Sequence, residues 1–299
     1  DHRDLHSFPT RRSSDLVSPG TELNNCYLAS DFPRHPGYAS VFRVDAVGGA
    51  VDDLAPGDLA LCMGNHRSWQ RCRRSDVLPV PPALDAARAP FARLMNVSWS
   101  TLTTTTARPA DAVLITGLGP VGHLAAQIFA AAGYRVVGVD PSPLRRALAE
   151  AKGLTTASAC DQIDPALAGT FGLCVECSGH EQAVLEGCRL VRRRGEVVLV
   201  GVPWSRRSDL AAHDLLHVVF HRYVVLRSGW EWEVPTHPRD FSPTSIDQQM
   251  AAALGWLLDG RVNVDGLAHH LPVSDCDEAY RRLSEQAIDG LTVLFDWVT

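Results

Sequence analysis

The chain has 299 residues, enough for one large or two ordinary domains. Its 45% hydrophobic and 21% charged fractions suit a globular protein, and a net charge of −6 with a pI near 6.0 gives no electrostatic case for nucleic acid or an anionic membrane. No apolar run is long enough to span a bilayer, the longest being broken by His217, His221 and Arg222, and no signal peptide is evident.

In chain order, residues 1–16 are polar, rich in Arg and Ser, and end abruptly. They match, along their whole length, one reading frame of a common DNA-sequencing adapter. They are therefore expected to be a disordered artefact preceding an N-terminally truncated chain. Residues 17–80 predict short β segments joined by Gly/Pro turns, with strands at 41–47 and 59–63. Pro79, Pro81 and Pro82 mark a linker, and 84–101 predicts a helix. From Asp111 onward, four apolar strands (112–115, 135–139, 173–176, 197–200) alternate with helices at 121–132, 143–152 and 181–193. That alternation predicts a doubly wound parallel sheet. An edge strand at 223–226, a loop at 230–245, helices at 248–259 and 279–285 and a strand at 291–297 complete the chain.

The first of these strands ends in Gly117-Leu-Gly119-Pro120-Val121-Gly122, a helix follows at once, and the next strand ends in Asp140. A glycine triplet alone is a weak signal. Placed between a strand and a helix, with an acid about 20 residues on, it predicts a dinucleotide site. Gly117 permits the turn, Gly119 lets a pyrophosphate approach the backbone, and Gly122 lets helix and strand pack. The helix N-terminus offers N–H groups to the phosphates. Asp140 accepts from the adenosine ribose hydroxyls and repels a 2′-phosphate, which favours NAD over NADP. Arg145 reads either as a ribose contact or as a helix-surface residue. Cys177, Ser178, Gly201 and Val202 end later strands at their carboxyl edge, where ligands bind in such sheets.

The eight cysteines are scattered, which suits reduced thiols and a cytoplasmic setting better than a disulfide framework. Cys174 and Cys177 lie in an apolar run that predicts a buried strand. Cys62, His66 and Cys72 lack a fourth partner for a metal site.

The motifs Pro-Gly-Thr-Glu-Leu (19–23), Pro-Gly-Tyr (36–38), Pro-Gly-Asp (56–58), the glycine triplet, Glu-Cys-Ser-Gly (176–179) and Val-Gly-Val-Pro (200–203), in this order, resemble the medium-chain dehydrogenase/reductase superfamily, which includes the zinc alcohol dehydrogenases. The resemblance implies an α/β architecture, a Rossmann domain beside a GroES-like catalytic domain with the active site in the cleft. The implied domains are 17–96 (GroES-like), 97–229 (Rossmann) and 230–299 (return to the catalytic domain). Zinc members hold the catalytic metal with a Cys, a His and a second Cys; those places fall here on Pro19, Tyr38 and, approximately, Asn96. The four-cysteine structural zinc lobe is also missing, so no zinc is expected.

Without the metal, another group must handle the proton on the substrate oxygen. The resemblance places Thr21 at the hydroxyl of the proton relay and Tyr38 at the lost His. His66, in the loop after strand 59–63, titrates near neutrality. Each also has a plainer reading: a turn hydroxyl, a packed aromatic and a surface histidine. Glu22 matches the acid that supports the metal in zinc members and here caps or pairs. The expected function is an NAD(H)-dependent oxidoreductase acting on a secondary alcohol or carbonyl, with a small-molecule substrate, no nucleic-acid or membrane partner, and a homodimer or homotetramer as assembly. The alternatives are an NADPH-dependent enone or quinone reductase, and an inactive fragment that retains dinucleotide binding.

Overall fold

The computed structural model describes residues 7–297, with side chains from Ser14 onward. The chain falls into two compact units. The first comprises residues up to Leu94, Met250–Gly260 and Val264 onward, and the second comprises Met95–Gln249 and Arg261–Asn263.

The first unit begins with β1 (Ser7–Leu16) and a short helix α1 (Pro19–Glu22), and continues with β2 (Ser40–Val44), β3 (Leu59–Cys62), β4 (Trp69–Arg73) and β5 (Val77–Pro79). Pro19 opens α1, where its missing N–H and fixed φ cost nothing. Phe42, Val44, Ala60, Cys62 and Val77 gather with Val51 and Leu54 into one core. The helix α2 (Phe91–Thr104) then carries the chain across the unit boundary. It starts later than the predicted 84–101, because Pro90 disfavours helical backbone in the residue before it.

The second unit holds β6 (Ala112–Thr116), α3 (Pro120–Ala131), β7 (Arg135–Val139), α4 (Pro143–Glu150), β8 (Thr155–Ala157), β9 (Phe171–Glu176), α5 (Glu181–Leu190), β10 (Val191–Leu199), α6 (Ala212–Arg222) and β11 (Val225–Ser228). Its six strands form a parallel Rossmann sheet in the order β11-β10-β9-β6-β7-β8. Along β6, Val113 and Ile115 enter one core with Leu118, Ala125 and Phe129, while Ala112 and Leu114 enter another with Phe171, Cys174 and Cys188. Burial on both faces explains why these strands read as unbroken apolar runs. The order makes β6 and β9 neighbours although α3, β7, α4 and β8 lie between them in the chain. That reversal of strand order is the switch point where ligands bind in doubly wound sheets.

Helix α6 is not among the predicted elements. Its His213, His217 and His221 are exposed, while Leu215, Val218 and Val219 pack on the core, so an amphipathic stripe was read as an interrupted apolar run. Residues 230–249 group with the second unit: Glu233 accepts from Arg227 Nη1 at 3.3 Å and from Thr104 Oγ1 at 3.1 Å.

The return is made by α7 (Ile246–Leu258), β12 (Ala268–Pro272), α8 (Cys276–Ser284) and β13 (Thr292–Asp296). The first unit's sheet runs β12-β13-β1-β2-β3-β5, with β4 also pairing β1. This corrects the expected disorder of the N-terminal segment. Residues 7–16 are the strand between β13 and β2, in register Ser14↔Asp296 and Thr10↔Val44, and Ser14, Asp15 and Leu16 are buried. Sheet pairing is made by backbone groups, which polar composition does not reveal. Residues 1–6 lie outside the described ones. All eight cysteines are free thiols, and Cys174 is buried in β9.

Candidate active site

The glycine turn connects β6 to α3. Gly117 has φ +83°, and a Cβ there would come within 2.8 Å of Ser178 N, so the loops after β6 and β9 meet at this residue. A Cβ on Gly122 would run into the Gly117 carbonyl oxygen, whereas one on Gly119 would meet nothing within 4 Å. The turn is therefore tight on its protein side and open at Gly119. Gly119 is the N-cap of α3 and has no side chain to satisfy the helix's first N–H groups, with Pro120 at the first helical position. This arrangement fits a pyrophosphate.

Asp140 follows β7 directly and is 1% exposed. Its Oδ2 accepts from Leu118 N at 2.7 Å and lies 3.3 Å from Arg145 Nη1; its Oδ1 accepts from Ser142 N at 2.8 Å. The carboxylate thus ties the glycine turn to the start of α4. Arg145, 36% exposed in its side chain, is the outermost of these partners. Arg146 donates to the carbonyls of Asp140 and Pro141 at 2.7 and 2.9 Å, a contact that no sequence signal announced.

After β9, Glu176 turns its buried carboxylate back on its own loop. It accepts from Ser178 N at 2.7 Å and Gly179 N at 3.1 Å, and also from the Ser178 hydroxyl. Burial pushes the Glu176 carboxyl up, opposed by these donors. Gly201 N donates to Glu176 O at 2.7 Å, so Cys177, Ser178 and Gly201 share one sheet edge, and Val202 beyond them is exposed. Burial raises the Cys177 thiol well above its usual value, so it is an apolar lining group rather than a nucleophile.

In the first unit the structure brings Thr21, Tyr38 and His66 around one turn. Tyr38 donates its hydroxyl proton to Ser18 Oγ at 2.5 Å, and the Arg93 guanidinium lies 4.6 Å above its ring. Burial raises the Tyr38 phenol, while Arg93 and hydrogen bonds to Ser18 and Thr21 hold it down. His66 is not the surface-loop residue of its plainer reading: its side chain is 8% exposed. Its Nδ1 is 3.0 Å from Asp15 Oδ2 and its Nε2 is 2.9 Å from Glu22 Oε2. Glu22 does both things its sequence allowed, taking Ser18 N at 2.7 Å and pairing with His66. Tyr280, whose hydroxyl donates to Glu22 Oε2 at 2.5 Å, Asp15 in the polar N-terminal segment and Arg93 carry no local motif that points here. Only the fold assembles them.

Family likeness implies a zinc ion, and the residues at its three ligand places do not fit one. Pro19 has no donor atom, and the Tyr38 phenol is held protonated on Ser18. Asn96 is a fully buried amide. Both His66 nitrogens face carboxylates, and among the described residues no group of three or more His, Cys, Asp or Glu could hold a metal ion.

Residues 120–230 match the zinc-binding dehydrogenase family. The chain is 25% identical over 244 residues to a sorbitol dehydrogenase of Halalkalibacterium halodurans (78% of this chain, 66% of the relative). It is 28% identical over 220 residues to the L-galactonate-5-dehydrogenase of Escherichia coli (70% of this chain, 58% of the relative). The chain thus spans less than two thirds of the length of either. Among solved structures it resembles galactitol-1-phosphate dehydrogenase of Escherichia coli, with TM-score 0.82 and 20% identity over 98% of this chain and 93% of that one. A zinc-binding dehydrogenase from Sinorhizobium meliloti bound to NADP gives TM-score 0.78 and 18% identity over 98% and 92%. These structural neighbours share the alcohol-dehydrogenase-like fold of a parallel Rossmann sheet with a second sheet.

Proposed function

We propose, on the premise that residues 120–230 are a zinc-binding dehydrogenase domain, that the protein is an NAD(H)-dependent oxidoreductase working on an alcohol or its carbonyl without catalytic zinc. The observation that carries this reading is the turn at the head of α3, closed behind Gly117 and Gly122 and open at Gly119. Gly119, Val121 and Gly122 would hold the pyrophosphate, Asp140 and Arg145 the adenosine ribose, and Cys177, Ser178, Gly201 and Val202 the nicotinamide side. When bound, NAD supplies the hydride acceptor, and NADH the donor in reverse. Asp140 favours NAD, because its carboxylate would repel a 2′-phosphate.

The proton belongs to Tyr38. In oxidation its phenolate takes the alcohol proton; in reduction its phenol gives a proton to the developing alkoxide. Arg93, over the ring, stabilises the phenolate, and Ser18 and Thr21 orient the hydroxyl. The names of the relatives support a polyol or sugar-acid alcohol as substrate class.

The test is to titrate the protein with NADH and with NADPH, following nicotinamide fluorescence, and then to assay NAD reduction over a panel of secondary alcohols and polyols. Enhancement with NADH and turnover of at least one polyol are expected. No binding of either nucleotide would refute the reading, and a clear preference for NADPH would point instead to reduction of a C=C bond.

A further inference from the structure

The loop histidine of the first unit sits in a closed box of acceptors. Beyond its two carboxylates, Asp15 Oδ2 also accepts from Trp297 Nε1 at 2.9 Å, and Glu22 Oε2 from the Tyr280 hydroxyl at 2.5 Å. Phe295 meets the imidazole edge to face at 5.5 Å between ring centroids. Gly37, with φ +97°, presses its backbone on the same ring: a Cβ there would lie 2.6 Å from His66 N and 2.7 Å from its Nδ1. His66 N in turn donates to Pro36 O at 2.9 Å. The glycine of Pro-Gly-Tyr therefore exists to admit this ring, one residue before Tyr38.

Charge counting fixes the proton. A neutral imidazole has one N–H and one lone pair, so one carboxylate would face a lone pair at about 3 Å. Ser18 N donates to Glu22 Oε1 and the Tyr280 hydroxyl to its Oε2, as Trp297 Nε1 does to Asp15 Oδ2. Both acids are therefore solvated as anions, and the ring must donate from both nitrogens. We infer that His66 is a buried imidazolium that stands in for the missing metal as the local positive charge, and that it is a positioning residue for Tyr38. It reaches Tyr38 by two routes: through Glu22 and Ser18 to the hydroxyl, and through Gly37 to the backbone.

Two things follow. The cluster of Asp15, His66 and Glu22 carries one net negative charge instead of two, and Glu22 is among the groups that raise the Tyr38 phenol. The imidazolium thus lowers the cost of the Tyr38 phenolate on one side as Arg93 does on the other. Burial opposes the charge, but the two carboxylates outweigh it and raise the imidazole to about 9. The facing groups are Asp15 from β1, Glu22 from α1, and Tyr280 from α8, with Trp297 beyond β13. Cys26, on the turn after α1, is raised by burial and by Glu22.

This inference rests on Tyr38 as the proton-handling group, yet its test needs neither cofactor nor substrate. Nitrogen-15 NMR of the unmutated chain should show both His66 ring nitrogens protonated at pH 7, with a midpoint near 9. Carbon-13 labelling of the tyrosine ring, with Tyr38→Phe for assignment, then follows the Tyr38 phenol in wild type and in His66→Gln. In wild type the Tyr38 ring signal should step as His66 loses its proton near 9, below the phenol's own titration, and that step should be missing in His66→Gln. A neutral His66 ring at pH 7 overturns the proposal, as does a Tyr38 ring signal with no step near 9 in wild type, or with the same step in His66→Gln. The nitrogen-15 arm stands even if His66→Gln does not fold. Failure of NADH binding would instead defeat the dehydrogenase reading and leave these two titrations unchanged.

Discussion

The two units each bury a histidine, and they treat it in opposite ways. In the Rossmann unit His123 lies inside α3, fully buried, with Gln127 Nε2 3.2 Å from its Nδ1 and the Leu148 backbone beside it. Burial pushes it down to about 4. In the β-rich unit His66 lies between two carboxylates and is raised to about 9. One unit buries a neutral ring as packing, and the other buries a charge as part of a site. On the proposed function, the difference follows what each unit does. A phosphate cradle is built from backbone, so its position in the chain is fixed by the turn that makes it. Proton handling is done by side chains, which distant elements can supply in new combinations.

Tyr38→Phe removes the proton-bearing oxygen but leaves the cradle alone. Turnover of a responsive alcohol should fall by about 1000-fold, with NADH affinity unchanged in a fluorescence titration. Equal losses in binding and turnover would deny Tyr38 this role. Gly119→Asp places a carboxylate in the open space at the head of α3 without a steric clash. NADH affinity should drop about 100-fold while the folded far-ultraviolet spectrum persists.

Stability against pH separates the two histidines. The raised folded-state value of His66 means its contribution is complete below its unfolded value of 6.5 and is lost as pH climbs through about 9. The gap in unfolding free energy between wild type and His66→Gln, on the order of 2 kcal/mol, should close by about pH 10. His123 has the opposite sign: its contribution is present above 6.5 and is lost as pH falls towards about 4. His123→Leu should therefore flatten the acid limb of the denaturation curve and leave the alkaline limb in place. Asp140→Asn keeps the acceptor for Leu118 N and removes the charge, so the preference for NADH over NADPH should narrow by about 10-fold.

Legibility in the sequence followed the same division. The strands of the Rossmann unit, its glycine turn and Asp140 are consecutive in the chain, and their periodicity announces them. The short strands β4 and β12 carry only exposed and half-buried residues, so no apolar run marks them. β1 escaped because its composition is foreign to a core, although its backbone completes the sheet. In the site, Thr21, Tyr38 and His66 were visible as residues, but their relation was not. Asp15, Glu22, His66 and Tyr280 lie up to 265 positions apart (280 − 15) and meet only through the pairing of β1, β2 and β13. Arg93 looked like one more polar residue in a helix until the fold laid it over Tyr38.

In the proposed mechanism proton transfer runs on Tyr38, with His66 and Arg93 as its cations, in place of a metal. The most direct measurement is the rate of NAD reduction with a responsive polyol, before and after exhaustive dialysis against a zinc chelator. An unchanged rate is expected, with no gain on adding Zn²⁺. A rate abolished by chelation and restored by Zn²⁺ would contradict it.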